Sequence, residues 1–184
     1  MLRHAGTQTL LTRRLRLRPY VREDYRAMYE NWTSDPQVAK YVNWGAHSSP
    51  DVTRSLVEMW VEGYASPTVY RWGIEKDGEL IGDISVVLWR EEEESCELGY
   101  CLCRRFWNQG IMTEALERVL AFLFDTVGFH RVMLCHDTAN PASGRVMEKC
   151  GLRREGVFRG VKKRKDGSWM DVAYYAILAE DRHP

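Results

Sequence analysis

Along these 184 residues the spacing of apolar positions changes period several times, and each change marks an element. LRLRP at 15–19 alternates apolar and basic residues, which predicts a short strand ended by Pro19 with its charges facing water. From 22 to 32 the spacing turns helical, with Tyr25, Met28, Tyr29 and Trp32 on one stripe. Asp35 and Pro36 stand as cap and first helical residue, so 35–42 predicts a second short helix. Ser49 and Pro50 repeat that signature ahead of 49–65, where Val52, Leu56, Met59 and Trp60 form the apolar stripe. The middle of the chain is β-rich. Residues 69–90 read as two strands joined at Asp77-Gly78, a pair suited to a tight hairpin, and four glutamates at 91–94 lead to a third strand over 95–103. A helix over 111–127 carries Ala115, Leu116, Val119, Leu120, Leu123 and Val127 on one face and stops at Gly128. A strand at 130–137 follows. Next comes a short helix capped by Asn140, with Pro141 first and Gly151 as its stop, and then two strands around Asp166-Gly167.

With no repeat, low-complexity segment or linker, this order predicts one α/β domain over 11–184, built on a mixed, mostly antiparallel sheet, behind a loose leader at 1–10. The length fills one core and is short for two. Composition narrows the function classes. The 26 basic and 26 acidic residues cancel, so a general pull on nucleic acid is not expected. No apolar run reaches the ~18 residues of a membrane span, and the N-terminus lacks the apolar block of a signal peptide. The five cysteines are scattered without a CxxC pair, which predicts reduced thiols in the cytoplasm and no metal site.

The candidate chemistry centres on WNQGIMTEAL, where a strand stops, Gly110 follows and a helix begins. The first N–H groups of a helix lack intrahelical partners and, with the helix dipole, suit an anion such as phosphate. Gly110 has no Cβ, so backbone can approach a phosphate there. A ligand with phosphates at that turn and an extended arm along the preceding strand has the shape of an acyl-coenzyme A. Gly99, inside that strand, predicts a bulge or a close approach.

Two segments in order, YCLCRRFWNQGIMTEAL and NPASGRVMEKCGLRREG, resemble the acetyl-coenzyme A-dependent GNAT N-acetyltransferases. The opening TRRLRLRP with DPQVAKYVNW, and the ending through YYAIL, are similar to the RimJ/RimL-type branch, which includes acetyltransferases of ribosomal-protein N-termini. The resemblance runs from about Leu11 to Leu178. It implies two neighbouring strands that splay around the pantetheine arm, and flanking helices. Asn108, Gln109, Gly110, Ile111, Met112 and Thr113 would hold the pyrophosphate through main-chain N–H groups, although relatives usually have Gly or Ala where Met112 stands. Cys101, Leu102 and Cys103 would flank the arm, Asn140 would bond it while capping its helix, and Ser143 would return a proton to the thiolate. Many relatives use a Tyr for that last step, one helical turn on, where this chain has Met147. Glu97, on the strand beside the cofactor, is the candidate base for the amine. A bulge at Gly99 would aim a backbone N–H at the thioester oxygen.

The resemblance thus implies acetyl transfer from acetyl-coenzyme A to a primary amine, by direct attack in a ternary complex and without a metal. The acceptor is a protein N-terminus or a small amine, and relatives suggest a homodimer. Two other readings compete. A non-catalytic acyl-coenzyme A sensor would keep Gly110 and Asn140 without depending on Glu97 or Ser143. An RNA-associated protein would use the basic run Arg159, Lys162, Lys163, Arg164 and Lys165. Tyr100 and Trp107 read as packing, and Cys103 and Cys135 as small apolar residues.

Overall fold

The computed structural model describes residues 1–164 and 167–182. Eight strands form one sheet: β1 (Leu10–Leu11), β2 (Arg16–Arg18), β3 (Arg71–Lys76), β4 (Glu79–Arg90), β5 (Ser95–Leu102), β6 (Arg131–Asp137), β7 (Arg153–Lys163) and β8 (Trp169–Leu178). Their order is β1-β2-β3-β4-β5-β6-β8-β7, and every neighbouring pair is antiparallel except β5 with β6. The helices are α1 (Tyr25–Met28), α2 (Pro50–Gly63), α3 (Ile111–Phe122) and α4 (Pro141–Lys149). This is the mixed, mostly antiparallel single domain that the periodicities predict.

Side chains alternate across a strand, so adjacent residues serve different cores. Ile81, Ile84, Leu98 and Leu102 join Ala115, Leu116, Val119 and Leu120 of α3 in the larger core. Leu80, one residue from Ile81, and Cys103, one from Leu102, join Met28, Trp32 and Val57 in a second cluster under α1 and α2. Fully burying one such aliphatic side chain contributes about 1.5–3 kcal/mol. The sheet is therefore clamped on both faces at its centre.

Several local expectations give way. Residues 36–40 form turns rather than a helix, although the Asp35 carboxylate caps them by taking the Gln37 N–H at 2.8 Å; the same side chain pairs with Arg104 at 3.0 Å. On α2 the inward stripe turns by one position: Thr53 and Val57 are buried, whereas Val52 and Met59 face solvent. Thr53 is accepted inside because its hydroxyl meets His47 Nδ1 at 2.7 Å and Thr33 Oγ1 at 3.2 Å. Arg18 does not face water: it is paired with Asp24 and Glu75, each at 2.7 Å. The first ten residues are tied down, since the Arg3 N–H reaches the Val127 carbonyl at 2.8 Å and Leu2 and Leu10 are buried. Helix 22–32 is present as α1 between a 3-10 turn (Arg22–Asp24) and a π-turn (Tyr29–Thr33). The predicted 111–127 helix is α3 continued by a π-turn (Leu123–Val127), with Gly128 left-handed at φ 90°. Of the final predicted turn, Asp166 lies outside the described residues, as does Lys165 of the basic run.

Candidate active site

The central feature is a parting of strands. β5 and β6 pair only at Ser95–Arg131, Cys96–Val132 and Glu97–Met133, and then diverge. Among the described residues the edge of β5 toward β6 has no strand partner beyond Glu97, so its backbone groups are open to a ligand. A cleft of about 800 Å³ runs through this opening. α3 begins at one side of it and α4 at the other.

At the α3 side, Cys103 leads into a 3-10 turn (Arg104–Phe106), and the chain then takes two left-handed residues, Asn108 at φ 59° and Gly110 at φ 71°. Gly110 is the N-cap of α3, and no side chain caps the helix, so the N–H groups of its first turn face outward. Arg14, which the sequence pattern did not single out, clamps this turn. Its Nη1 donates to the Gln109 carbonyl at 3.1 Å and its Nε to Glu114 at 2.6 Å. The clamp fixes the turn before any ligand arrives, which spares part of the entropy cost of binding.

Of the residues expected around the cofactor, Asn108, Gly110, Ile111, Met112 and Thr113 line the cleft, as do Cys101 and Leu102. Gln109 and Cys103 do not. The Gln109 side chain turns away to the Arg105 carbonyl at 2.8 Å, and Cys103 is buried in the second core, because the strand has ended and its N–H is taken by Ile81. The expected bulge sits on the neighbouring strand. Gly99 pairs in register with Ser85, and the extra residue is Val87 of β4, between Val86 and Leu88. A Cβ on Gly99 would lie 3.2 Å from Val87 Cγ1, so the glycine makes room for that bulge.

At the α4 side, Asn140 occupies the N-cap position without a side-chain cap bond, and it lines the cleft. Ser143 lies in the first turn of α4 and meets Tyr100, which reaches across from β5. The phenol oxygen is 3.0 Å from Ser143 Oγ and donates to the Ser143 carbonyl, also at 3.0 Å. Burial pushes the Tyr100 phenol well above its ordinary value, so it stays protonated and able to donate. Tyr100, expected only to pack, thus brings a phenol to Ser143 from the facing strand, while α4 itself carries none. Arg145 and Lys149, also missed, bring two cations from α4 to the cleft lining.

Glu97 stands where β5 and β6 part and accepts a weak bond from Cys135 Sγ at 3.6 Å. Three acidic side chains line the cleft: Asp83, Glu97 and Asp137. Asp83 is paired with Arg71 at 2.9 Å and Asp137 with Arg164 at 2.8 Å, whereas Glu97 has no ion pair among the described residues. Among the described residues no group of three or more His, Cys, Asp or Glu side chains is placed to hold a metal.

The chain matches the acetyltransferase (GNAT) domain over residues 14–153, which is most of its length. It belongs to the GNAT acetyltransferase family. The protein is therefore an acetyl-coenzyme A-dependent N-acetyltransferase, and its likeness to the RimJ/RimL branch holds in the comparisons. A Bacillus subtilis relative described as the uncharacterized N-acetyltransferase YnaD is 32% identical over 94% of this chain and 98% of its own. The Escherichia coli [ribosomal protein uS5]-alanine N-acetyltransferase is 26% identical over 76% of this chain and 73% of its own. A crystal structure of a GNAT-family acetyltransferase from Bacillus anthracis superposes with a TM-score of 0.82 at 30% identity, covering 94% of this chain and 99% of that one. Among the described residues no helix is long and apolar enough to cross a membrane.

Proposed function

We propose that transfer in this GNAT acetyltransferase runs by direct attack of a primary amine on the thioester within a ternary complex, each site residue having one task. The turn from Asn108 to Gly110 and the free N–H groups of Ile111, Met112 and Thr113 hold the pyrophosphate, with Arg145 and Lys149 adding positive charge. The pantetheine arm lies between β5 and β6 beside Cys101 and Leu102, and Asn140 bonds it. Glu97 takes the ammonium proton, directly or through water. The amine nitrogen bonds to the acetyl carbonyl carbon, the carbon–sulfur bond breaks, and Ser143 gives its hydroxyl proton to the thiolate while taking up the second proton that the nitrogen sheds. Tyr100 holds Ser143 in place, its phenol donating to the Ser143 carbonyl and lying 3.0 Å from the hydroxyl.

Most of the acceleration in this scheme comes from holding amine and thioester together. The acceptor is a primary amine, either a protein N-terminal α-amine or a small amine. The RimJ/RimL likeness and the uS5-alanine acetyltransferase relative support the first. One observation carries the reading: strands that part beyond Glu97, with a helix N-terminus on one side and the Ser143–Tyr100 pair on the other. Free-thiol release from acetyl-coenzyme A against peptides with different N-termini and against small amines tests it. Turnover with at least one amine is expected. Tight binding without turnover across a broad panel would restore the sensor reading.

A further inference from the structure

The part of the cleft under α1 and α2 has a chemistry of its own. Its walls are aromatic: Trp32, Tyr41, Trp44 and Trp60 all line it. Trp32 is fully buried, and its Nε1 is a buried side-chain nitrogen with no hydrogen-bond partner among the described residues. An indole N–H can only donate, and buried donors in folded proteins almost always find an acceptor. Trp32 lines the cleft with this nitrogen closed to solvent, so a small shift of the wall on binding would offer the orphaned donor to a ligand oxygen.

Charge in this region is already spent. Arg71 Nη1 reaches both oxygens of Asp83, at 2.9 and 3.0 Å, and Tyr20 Oη donates to the same carboxylate at 3.1 Å. The guanidinium lies 3.9 Å over the Trp60 ring, so the ion pair and the aromatic wall brace each other. Asp83 is therefore not available to a second cation. A polyamine carries several positive charges and needs several carboxylates; among the described residues the cleft offers only Glu97 unpaired.

Building on the acetyltransferase reading, we infer that the acceptor is a monoamine carried on a flat apolar body with a hydrogen-bond-accepting oxygen, received by the aromatic walls and by Trp32 Nε1. Two sources share that chemistry: a free arylalkylamine, or a peptide whose first residues are aromatic. The one reacting nitrogen turns to Glu97, and the body lies against Trp44 and Tyr41.

The test compares kcat/KM for tyramine, phenethylamine and spermidine, and for peptides beginning Tyr or Ala, by thiol release. Tyramine or the Tyr peptide is expected to exceed spermidine and the Ala peptide by about tenfold or more, and whichever of the two leads identifies the source. Trp44→Ala is expected to erase that preference while leaving acetyl-coenzyme A affinity intact. Trp32→Phe keeps the ring and removes the N–H; it is expected to abolish the advantage of tyramine over phenethylamine, a difference that a general loss of stability would not remove. Spermidine or the Ala peptide turned over as well as the aromatic acceptors overturns the inference, as does an unchanged tyramine-to-phenethylamine ratio in Trp32→Phe. Should no amine release thiol, the transfer reading fails separately. Binding to the coenzyme A complex, followed by tryptophan fluorescence, then decides the aromatic subsite: tyramine held more tightly than spermidine supports it, and the reverse order sinks it.

Discussion

The two ends of the cleft are built from different materials. In the proposed scheme the working groups at the cofactor end are main-chain N–H groups, presented by a left-handed turn and a helix start within one short stretch of chain. At the acceptor end they are side chains: Trp32 from the π-turn, Trp44 from the loop, Trp60 from α2, Arg71 from β3 and Asp83 from β4. A main-chain site tolerates changes in side-chain identity but not changes in conformation. A side-chain site is the reverse: it keeps its backbone and changes its ligand when one residue changes. This is how one fold keeps a common donor while the acceptor varies.

The largest expected effect strikes the acceptor end through stability. Asp83→Ala leaves the buried Arg71 charge unpaired and is expected to cost about 3–5 kcal/mol, read as a lowered denaturation midpoint. A loss near zero would mean that water reaches the pair and that the region is not closed. Next comes a conformational change at the cofactor end. Gly110→Val puts a β-branched residue at φ 71°, with about 1–3 kcal/mol of strain. Calorimetry is expected to show acetyl-coenzyme A binding weakened by about tenfold or more, with relative rates among amines unchanged. An altered amine preference would break the division between the two ends.

Between the ends lie the chemical groups. Ser143→Ala is expected to lower kcat by about 10²-fold, the low end of general acid–base effects, with KM for acetyl-coenzyme A unchanged. Tyr100→Phe is expected to lower it less, and to add little in the Ser143→Ala background, because the two hydroxyls act as one unit. Full additivity would separate them. Glu97→Gln is expected to cost about tenfold at neutral pH, and the deficit is expected to shrink as pH rises, because free amine then forms without a base. A deficit constant with pH would remove Glu97 from proton transfer.

The smallest effect concerns the acceptor loop. Burial lowers His47 below its ordinary value, and its Nδ1 meets Thr53 at 2.7 Å. The unfolded chain then binds the proton more readily than the folded one. Stability is full above about pH 6.5 and is lost as pH falls from there through the lower folded value. Melting temperatures across that window are expected to decline more in the wild type than in His47→Gln.

What could be read from the linear chain was whatever a local pattern encodes. The α3 stripe, the Asp77-Gly78 hairpin, the Gly110 turn and the Asn140-Pro141 start of α4 each depend on neighbours within a few residues, and the structure contains them. The RimJ/RimL likeness rested on the same local motifs in order. Where the expectations failed, a distant partner had intervened. At 35–42 turns stand where a helix was expected, with Arg104 paired to Asp35; Thr53 turned inward because Thr33 and His47 met it; Arg18 was drawn from solvent by Asp24 and Glu75. Arg14 on the cofactor turn and Tyr100 on Ser143 belong to the same class, being separated from their partners by 95 and 43 residues. Local spacing sets dihedral preference and which face is apolar, so it is visible in one dimension. The meeting of two side chains across a sheet depends on register and on the parting of β5 from β6, and those exist only once the whole domain has packed.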